Sequence, residues 1–322
     1  MTQWPGKDPK VALVTGATGY VGSHLAKALV RDGWKVHALL REASDSSELG
    51  KSGKQIKLHR LSVQAAEIAQ IVKEAKPDVV FHLASEVLIR HEMDDVEDLI
   101  ESNILFGTQV LEGMAQAGSR NFVNAGSFWQ HYGGAAYNPV NLYGATKQAF
   151  EAILAYYVQC HSICAVTLKL FDVYGPQDSR NKVFQQLNQA ARTGEVLPMS
   201  PGEQLLDLVY IDDVVSAFLR AAEVLILGNQ KLEPSYAVSS GRHISLKEVV
   251  SLYGRLTGHR PNVKWGGRPY REREVMKPWK GPTLPGWKPE VNLETGIRLM
   301  TYDSAVPHPT KVLVSGGGKS PR

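Results

Sequence analysis

A phenol and a primary amine four residues apart, Tyr143 and Lys147 in YGATK, are the pair in this chain best suited to move a proton. On a helix that spacing puts both on one face. A free tyrosine, with a pKa of ~10, is a poor acid or base near neutrality. A cation held beside it stabilises the phenolate by ~1–3 pK units, so a lowered Tyr143 is expected. Tyr143 can then give a proton to a carbonyl oxygen as hydride arrives, or take one in the reverse direction. Lys147 can also reach a nicotinamide ribose. Upstream, Ser127 in FVNAGSF stands just beyond a buried strand, where its hydroxyl can donate to a developing oxyanion and orient a ketone. Tyr-x-x-x-Lys arises often by chance on helices, and a lone serine there is more often a cap. What gives the three residues weight is the segment near the N-terminus.

That segment, VALVTGATGYVGSHLAKALV, runs from an apolar strand through Gly16, Gly19 and Gly22 into an amphipathic helix. Glycines let a backbone turn sharply and approach a pyrophosphate, while the helix N-terminus supplies amide donors and the positive end of a dipole. Strand before and helix after make this a dinucleotide site rather than a glycine-rich turn. The next strand, KVHALLRE, ends in Arg41, where sites preferring NAD usually carry an acid for the ribose hydroxyls. A guanidinium can pair with a 2′-phosphate and stack on adenine, so NADP(H) is expected over NAD. Glu42 follows directly, and a solvated strand end is the plainer alternative for Arg41.

The elements that must position these residues alternate. Strands are predicted at Val11–Val14, Val36–Leu40, Ile56–Leu58, Val79–Leu83, Asn121–Asn124 and Ala165–Leu170, with helices at Tyr20–Arg31, Ala65–Glu74, Val96–Ala117 and Leu142–Gln159 between them. The pattern is α/β: a Rossmann-type doubly wound parallel sheet whose ligands gather at the strands' carboxyl ends. After Phe171, Pro and Gly become frequent; helices are predicted at Val183–Arg192 and Asp213–Leu225, a strand at Ser235–Val238, and a loop-rich stretch at Trp265–Trp287. Residues 1–170 read as the NADP-binding domain, with 205–238 returning to it. Residues 171–204 and 239–300 read as a smaller C-terminal substrate-binding lobe, and 301–322 as a flexible tail.

Composition excludes other classes. With 43% hydrophobic and 21% charged residues, the 322-residue chain is ordinary for a globular protein, and its mean hydropathy is -0.20. The net charge of +4 comes from basic residues spread along the chain, which argues against nucleic acid as partner. The two cysteines, Cys160 and Cys164, have no partners at metal-ligand spacing, so neither a disulfide framework nor a metal site is expected. No signal core and no apolar run of membrane-spanning length is visible, so the expectation is a cytoplasmic protein without a membrane partner.

Together these residues resemble the extended short-chain dehydrogenase/reductase family, in its sugar-nucleotide epimerase/dehydratase group, over roughly Lys10 to Met300. TGATGYVG is similar to the family's cofactor loop and PDVVFHLAS to the strand that skirts the cofactor. The resemblance therefore implies cofactor contacts from Gly16, Thr18, Gly19, Tyr20, Val21, Gly22, Arg41, Leu83, Ala84, Ser85, Tyr143 and Lys147. Asn103 in SNILFGT resembles the structural asparagine of a catalytic tetrad completed by Ser127, Tyr143 and Lys147. LKLFDVYGP, LVYIDDVV and LPGWKPEVNLETGI are similar to the family's later signatures. Ser62 stands near where relatives set an Asp against adenine, Asp172 where many carry Asn, and Leu206 where several carry an Arg for the diphosphate.

The departures narrow the expected activity. The family's 4,6-dehydratases carry Asp-Glu directly after the catalytic Ser or Thr; here Phe128 and Trp129 follow Ser127. C4 epimerases that retain NAD typically have an acidic second-strand end, unlike Arg41. SFWQHY, YREREVM and SPGEQ look most similar to the branch that reduces nucleotide-linked 4-keto-6-deoxyhexoses, as in CDP-abequose and CDP-paratose synthesis. The resemblance thus implies NADPH-dependent reduction of a CDP- or dTDP-linked 4-keto sugar. Ser127, Asp172, Arg180, Lys182, Arg271 and Arg273 would be the substrate residues, in a homodimer packed through the two long helices. An epimerase with tightly bound NAD, a reductase of smaller carbonyl compounds and a non-catalytic NADP-binding module are the rivals.

Overall fold

The first strand, β1 (Val11–Thr15), is apolar but for its last residue, and all but Val11 are buried. Such a strand belongs in the middle of a parallel sheet covered on both faces. In the computed structural model, which describes residues 9–61, 65–228 and 234–304, it lies there. It is followed by α1 (Tyr20–Arg31), β2 (Lys35–Arg41), β3 (Ile56–Leu61), α2 (Ala65–Ala75), β4 (Val79–His82), α3 (Asp95–Ile100), α4 (Phe106–Ala117), β5 (Asn121–Ser127), α5 (Leu142–Cys160), β6 (Cys164–Leu170) and β7 (Asp172–Tyr174). Then come α6 (Val183–Thr193), β8 (Leu197–Pro198), β9 (Leu205–Tyr210), α7 (Ile211–Leu227), β10 (Ser235–Val238), β11 (His243–Ser245), α8 (Leu246–Thr257), β12 (Val263–Lys264) and α9 (Leu293–Ser304).

Seven strands form one parallel sheet in the order β10-β6-β5-β4-β1-β2-β3. The order reverses between β1 and β4, the kind of switch point outside whose carboxyl ends ligands bind. One face packs against α1 and α7 around Leu25, Leu29, Val214 and Phe218; the other packs against α2, α4 and α5 around Ile68, Val110, Phe150 and Leu154. The doubly wound fold expected from the alternating pattern is the one observed. Strand β9 pairs with β7 and β11 in a separate three-stranded sheet, while α7 crosses back over β5 and β6 and β10 joins the main sheet beside β6. Helix α9 extends through Ser304, into the stretch read as tail; Ser62 and residues 305–322 lie outside the described residues.

The long helix expected over Val96–Ala117 is broken. A π turn, Glu101–Leu105, separates α3 from α4. The wider turn brings Asn103, 1% exposed, into the core, where its side chain is fully bonded. One inserted residue that turns a polar side chain inward is the usual use of a π bulge. Periodicity does not signal it, because Ile100, Ile104, Leu105 and Phe106 crowd the turn with apolar residues that mask the one-residue shift.

Gly107, at the start of α4, sets how closely that helix approaches α5 and β4. A Cβ there would fall 2.7 Å from Phe150 Cζ and 2.9 Å from His82 Nε2. Both neighbours are completely buried, so neither has room to move. Gly107→Ala is expected to lose about 1–3 kcal/mol through overpacking despite its better helix propensity, read as a lower urea midpoint at unchanged slope.

Candidate active site

The glycine loop is shaped by close approach. Gly16 has φ of +70°, and a Cβ on it would sit 2.6 Å from Ala84 N. A Cβ on Gly22 would strike the Gly16 carbonyl, so only glycine lets α1 begin directly on the turn. Thr15 Oγ1 accepts hydrogen bonds from Leu83 N at 3.2 Å and Ala84 N at 3.1 Å, and lies 2.9 Å from His82 Nδ1. Burial pushes His82 down to about 3, so the ring is neutral. Gly19 caps α1 without a side-chain bond, and no acid occupies the first turn. The N-terminal amides around Tyr20 and Val21 are therefore open to an anion, with Thr18 half-buried beside them. An uncapped helix end behind glycines that no side chain can replace fits a dinucleotide's pyrophosphate.

At the adenosine end, Arg41 is the exposed last residue of β2, and Leu40 before it is buried. Arg60 of β3, unremarked in the sequence, donates to Glu42 O at 2.8 Å and Ser44 O at 2.9 Å and so holds the turn beyond Arg41. An exposed strand residue in no motif gives no advance sign of such a bond.

Ser127, Tyr143, Lys147 and Asn103 are brought together at the carboxyl ends of β4 and β5. Asn141 caps α5 by accepting from Gly144 N, which starts the helix that carries Tyr143 and Lys147. Ser127 and Ser85 are the polar neighbours of the Tyr143 hydroxyl, and both draw its pKa down. Ser85 in turn donates to Asn103 Oδ1 at 2.9 Å. Asn103 Nδ2 donates to Thr146 Oγ1 at 2.9 Å, and that hydroxyl donates to Tyr143 O at 2.8 Å. Asn103 thus ties the loop after β4 to the first turn of α5 and touches no reacting atom. Ser85, expected at the cofactor, is also a direct partner of the phenol.

The expected lowering of Tyr143 is not what the site produces. Burial pushes its phenol up to about 12, and only the bonds to Ser127 and Ser85 pull it back. Burial also pushes Lys147 down to about 8, with Glu151 drawing it up and Lys169 pressing it further down. Desolvation outweighs the attraction that the i, i+4 spacing implies, because it acts against the charged form of each partner.

The four cations expected on the substrate all line a cleft of about 1380 Å³ beside this centre, but three have protein partners, Arg271 the loosest of them with Glu274 at 4.0 Å. Arg180 makes a two-pronged contact with Asp178, at 2.7 and 2.8 Å, bonds Val173 O and lies 4.4 Å above the Tyr20 ring. Tyr20 itself donates to Pro176 O at 3.1 Å, which fastens the glycine loop to the cleft wall. Arg273 stacks 4.2 Å over Tyr132 and bonds Asn138 Oδ1. Lys182 and Arg271 face Asp172, whose carboxyl burial pushes up and whose cationic neighbours draw it down. Arg90, Arg192 and Arg268 join the lining without having been picked out by any motif.

This fold and this site define an oxidoreductase of the short-chain dehydrogenase/reductase type. The profile of the NAD dependent epimerase/dehydratase family matches residues 12–230, and the chain belongs to that family. A CDP-abequose synthase of Salmonella muenchen is 27% identical over 90% of this chain and 97% of its own length. A UDP-glucose 4-epimerase of Mycolicibacterium smegmatis is 28% identical over 88% and 95%. The solved UDP-glucose 4-epimerase of Thermus thermophilus, in complex with NAD, superposes with a TM-score of 0.75 at 25% identity, covering 91% of this chain and 98% of that one. Among the described residues no helix is long and apolar enough to cross a membrane, and no cluster of metal ligands occurs.

Holding Lys147 charged and buried destabilises the fold. Its pKa falls from 10.5 to about 8, so below pH 8 the native state carries the full penalty, of order 3 kcal/mol. Between those values the native state has released a proton that the unfolded chain keeps, and stability from this group rises with pH. Lys147→Met is expected to melt at a higher temperature than the parent at pH 7, with the gap closing above about pH 10.5. A lower melting temperature at pH 7 would show that the ammonium is a net stabiliser.

Proposed function

We propose that this protein reduces the C4 ketone of a nucleotide-diphospho-4-keto-6-deoxyhexose, CDP- or dTDP-linked, with NADPH. The observation that carries the reading is the wall next to the hydroxyl cluster. Phe128 stacks on Phe171 at 4.8 Å, and Trp129 stands edge-on to Tyr143 at 6.1 Å. Both line the cleft, and neither can exchange a proton. A ketone held by Tyr143 and Ser127 therefore meets one proton donor and an apolar wall suited to a deoxy carbon. Dehydration needs a second acid and base that these positions do not offer. The likeness to CDP-abequose synthases supports the same substrate class.

A bound nicotinamide cofactor supplies the hydride. Tyr143 Oη gives its proton to the ketone oxygen, so the C=O π bond becomes a C–H and an O–H bond. Ser127 Oγ donates to the same oxygen and fixes its position. Lys147, charged below about pH 8, holds the cofactor's ribose and stabilises the phenolate left behind. Asn103 and Thr146 keep the phenol's turn in register through the bonds described above. Lys182 and Arg271 take the diphosphate, with Arg268 and Arg192 on the same wall, while Arg180 and Arg273 shape the cleft. Residues 171–204 and 239–300 act as the substrate lobe. The exposed Val96, Ile100, Leu105 and Tyr156 are assigned to a homodimer interface through the segments 96–117 and 142–159.

NADPH absorbance, followed with CDP- and dTDP-4-keto-6-deoxyglucose in parallel, tests the reading. Oxidation with one of them is expected, and Tyr143→Phe should abolish it while leaving NADPH binding within a few-fold. NAD co-purifying with the protein, together with no net NADPH consumption, would favour the epimerase reading that the Mycolicibacterium relative suggests.

Preference for NADPH is assigned to Arg41, the exposed last residue of β2, which stands where sites preferring NAD usually carry an acid. Arg41→Ala is expected to raise KM for NADPH by ~10–100-fold, the worth of one charge-assisted phosphate contact, and to leave KM for NADH nearly unchanged. Equal effects on both cofactors would remove Arg41 from the 2′-phosphate.

A further inference from the structure

Directly behind Ser127 lies an ion pair that the mechanism above does not use. Lys169 of β6 and Glu151 of α5 are 2% and 8% exposed, and Lys169 Nζ donates to both carboxylate oxygens, at 2.7 and 2.6 Å. A buried pair of this kind adds little net stability, since desolvation offsets the Coulomb attraction. Stability alone therefore does not account for it.

Two connections lead from the pair to the reacting groups. The first runs through Gln130, which is completely buried. Its Nε2 donates to Glu151 Oε1 at 2.9 Å and to Gln148 Oε1 at 2.8 Å, while its Oε1 accepts from Ser127 N at 2.9 Å. The strand end also rests on the pair, because a Cβ at Gly126 would fall 2.9 Å from Lys169 Cδ and 3.0 Å from Glu151 Oε1. The second connection runs along α5. Glu151 follows Lys147 by four residues and shares its helix face, so one carboxylate lies within the field of two ammonium groups.

We propose that the Glu151–Lys169 pair is a positioning device for the carbonyl site: through Gln130 it fixes the strand end that carries Ser127, and by dividing one carboxylate between two lysines it sets how firmly Lys147 keeps its proton. The inference rests on the reductase reading. The groups that face Lys147 are Glu151 and Tyr143 from its own helix, Lys169 from β6 and the neutral His82 from β4. Glu151 is the stronger of the two charged influences and Lys169 opposes it. Removing either one moves Lys147 in a known direction, and the two directions are opposite.

The test is the pH dependence of kcat/KM for the 4-keto sugar nucleotide at saturating NADPH, in which loss of the Lys147 proton forms the alkaline limb. Glu151→Gln should shift that limb down by about one pH unit, and Lys169→Met should shift it up by a similar amount. The double variant, which buries no charge at either position, should shift it down by less than Glu151→Gln alone. Gln130→Met removes the bonds to Ser127, Glu151 and Gln148 while leaving both charges of the pair in place, and should lower kcat by ~10-fold with the limb moved far less than in the single charge variants. Circular dichroism checks that each variant is folded. If the single variants fail to fold, the double variant and Gln130→Met decide the matter. Limbs that stay in place or move in the same direction overturn control of Lys147, and a Gln130→Met enzyme with parental kcat overturns the Ser127 connection. Failure of the parent to reduce any 4-keto sugar nucleotide sinks the reductase reading instead. The same shifts are then sought in the pH dependence of NADPH affinity by fluorescence titration, and their absence there overturns the inference as well.

Discussion

Everything at this site follows from a distance too short for a side chain, the approach of Gly16 to the backbone of Leu83 and Ala84. Because the turn after β1 lies directly on the chain leaving β4, Thr15 can bond the amides of both those residues. That fixes the direction in which β4 leaves the sheet, and with it the place of Ser85. Ser85 then meets Tyr143 on one side and Asn103 on the other. Without the close approach at β1, the phenol of a helix that begins more than a hundred residues later would lack one of its two hydroxyl partners.

The site also shows how a polar cluster survives in a core. Asn103 has its carbonyl oxygen and its amide engaged by Ser85, Glu86 and Thr146. Gln130 likewise uses both ends of its amide, and Lys169 gives donors to both oxygens of Glu151. An unmade bond at any of these positions would cost about 1–3 kcal/mol, so the network holds as a unit.

The sequence made the main sheet legible because its strands are continuous apolar runs and its loop glycines stand at positions where geometry forbids other residues. Tyr143, Lys147 and Ser127 were legible for a related reason: their chemistry is paired at fixed spacing, after a recognisable cofactor loop. The π turn at Glu101–Leu105 was not, since apolar residues on both sides of it mask the one-residue shift in phase. Nor were Gln130, Glu151 and Lys169, whose partners lie 18 or 21 positions away in the chain. A capping-box pattern, Ser127 with Gln130 three residues on, was present but marks only a local turn. The four cations named for the substrate stand in the cleft wall, but the hold of Asn138 on Arg273 spans 135 positions and was not legible, while Asp178, two residues before Arg180, was in plain view as its partner.

The reversal in the expected behaviour of Tyr143 bears on the direction of the chemistry. A phenol pushed up to about 12 is protonated at neutral pH, and as a base it would have to be relieved of that proton first. As an acid it is ready. Lys147, pushed down to about 8, still carries its charge at neutral pH and offers it most strongly once the phenol has given up its proton. A neutral acid beside a poised cation stabilises a transition state in which negative charge passes from the substrate oxygen to the phenol oxygen, and contributes little to the ground state before that. The protonation states set by burial therefore suit the proposed role of Tyr143 as a proton donor, beside an apolar wall that carries no second one.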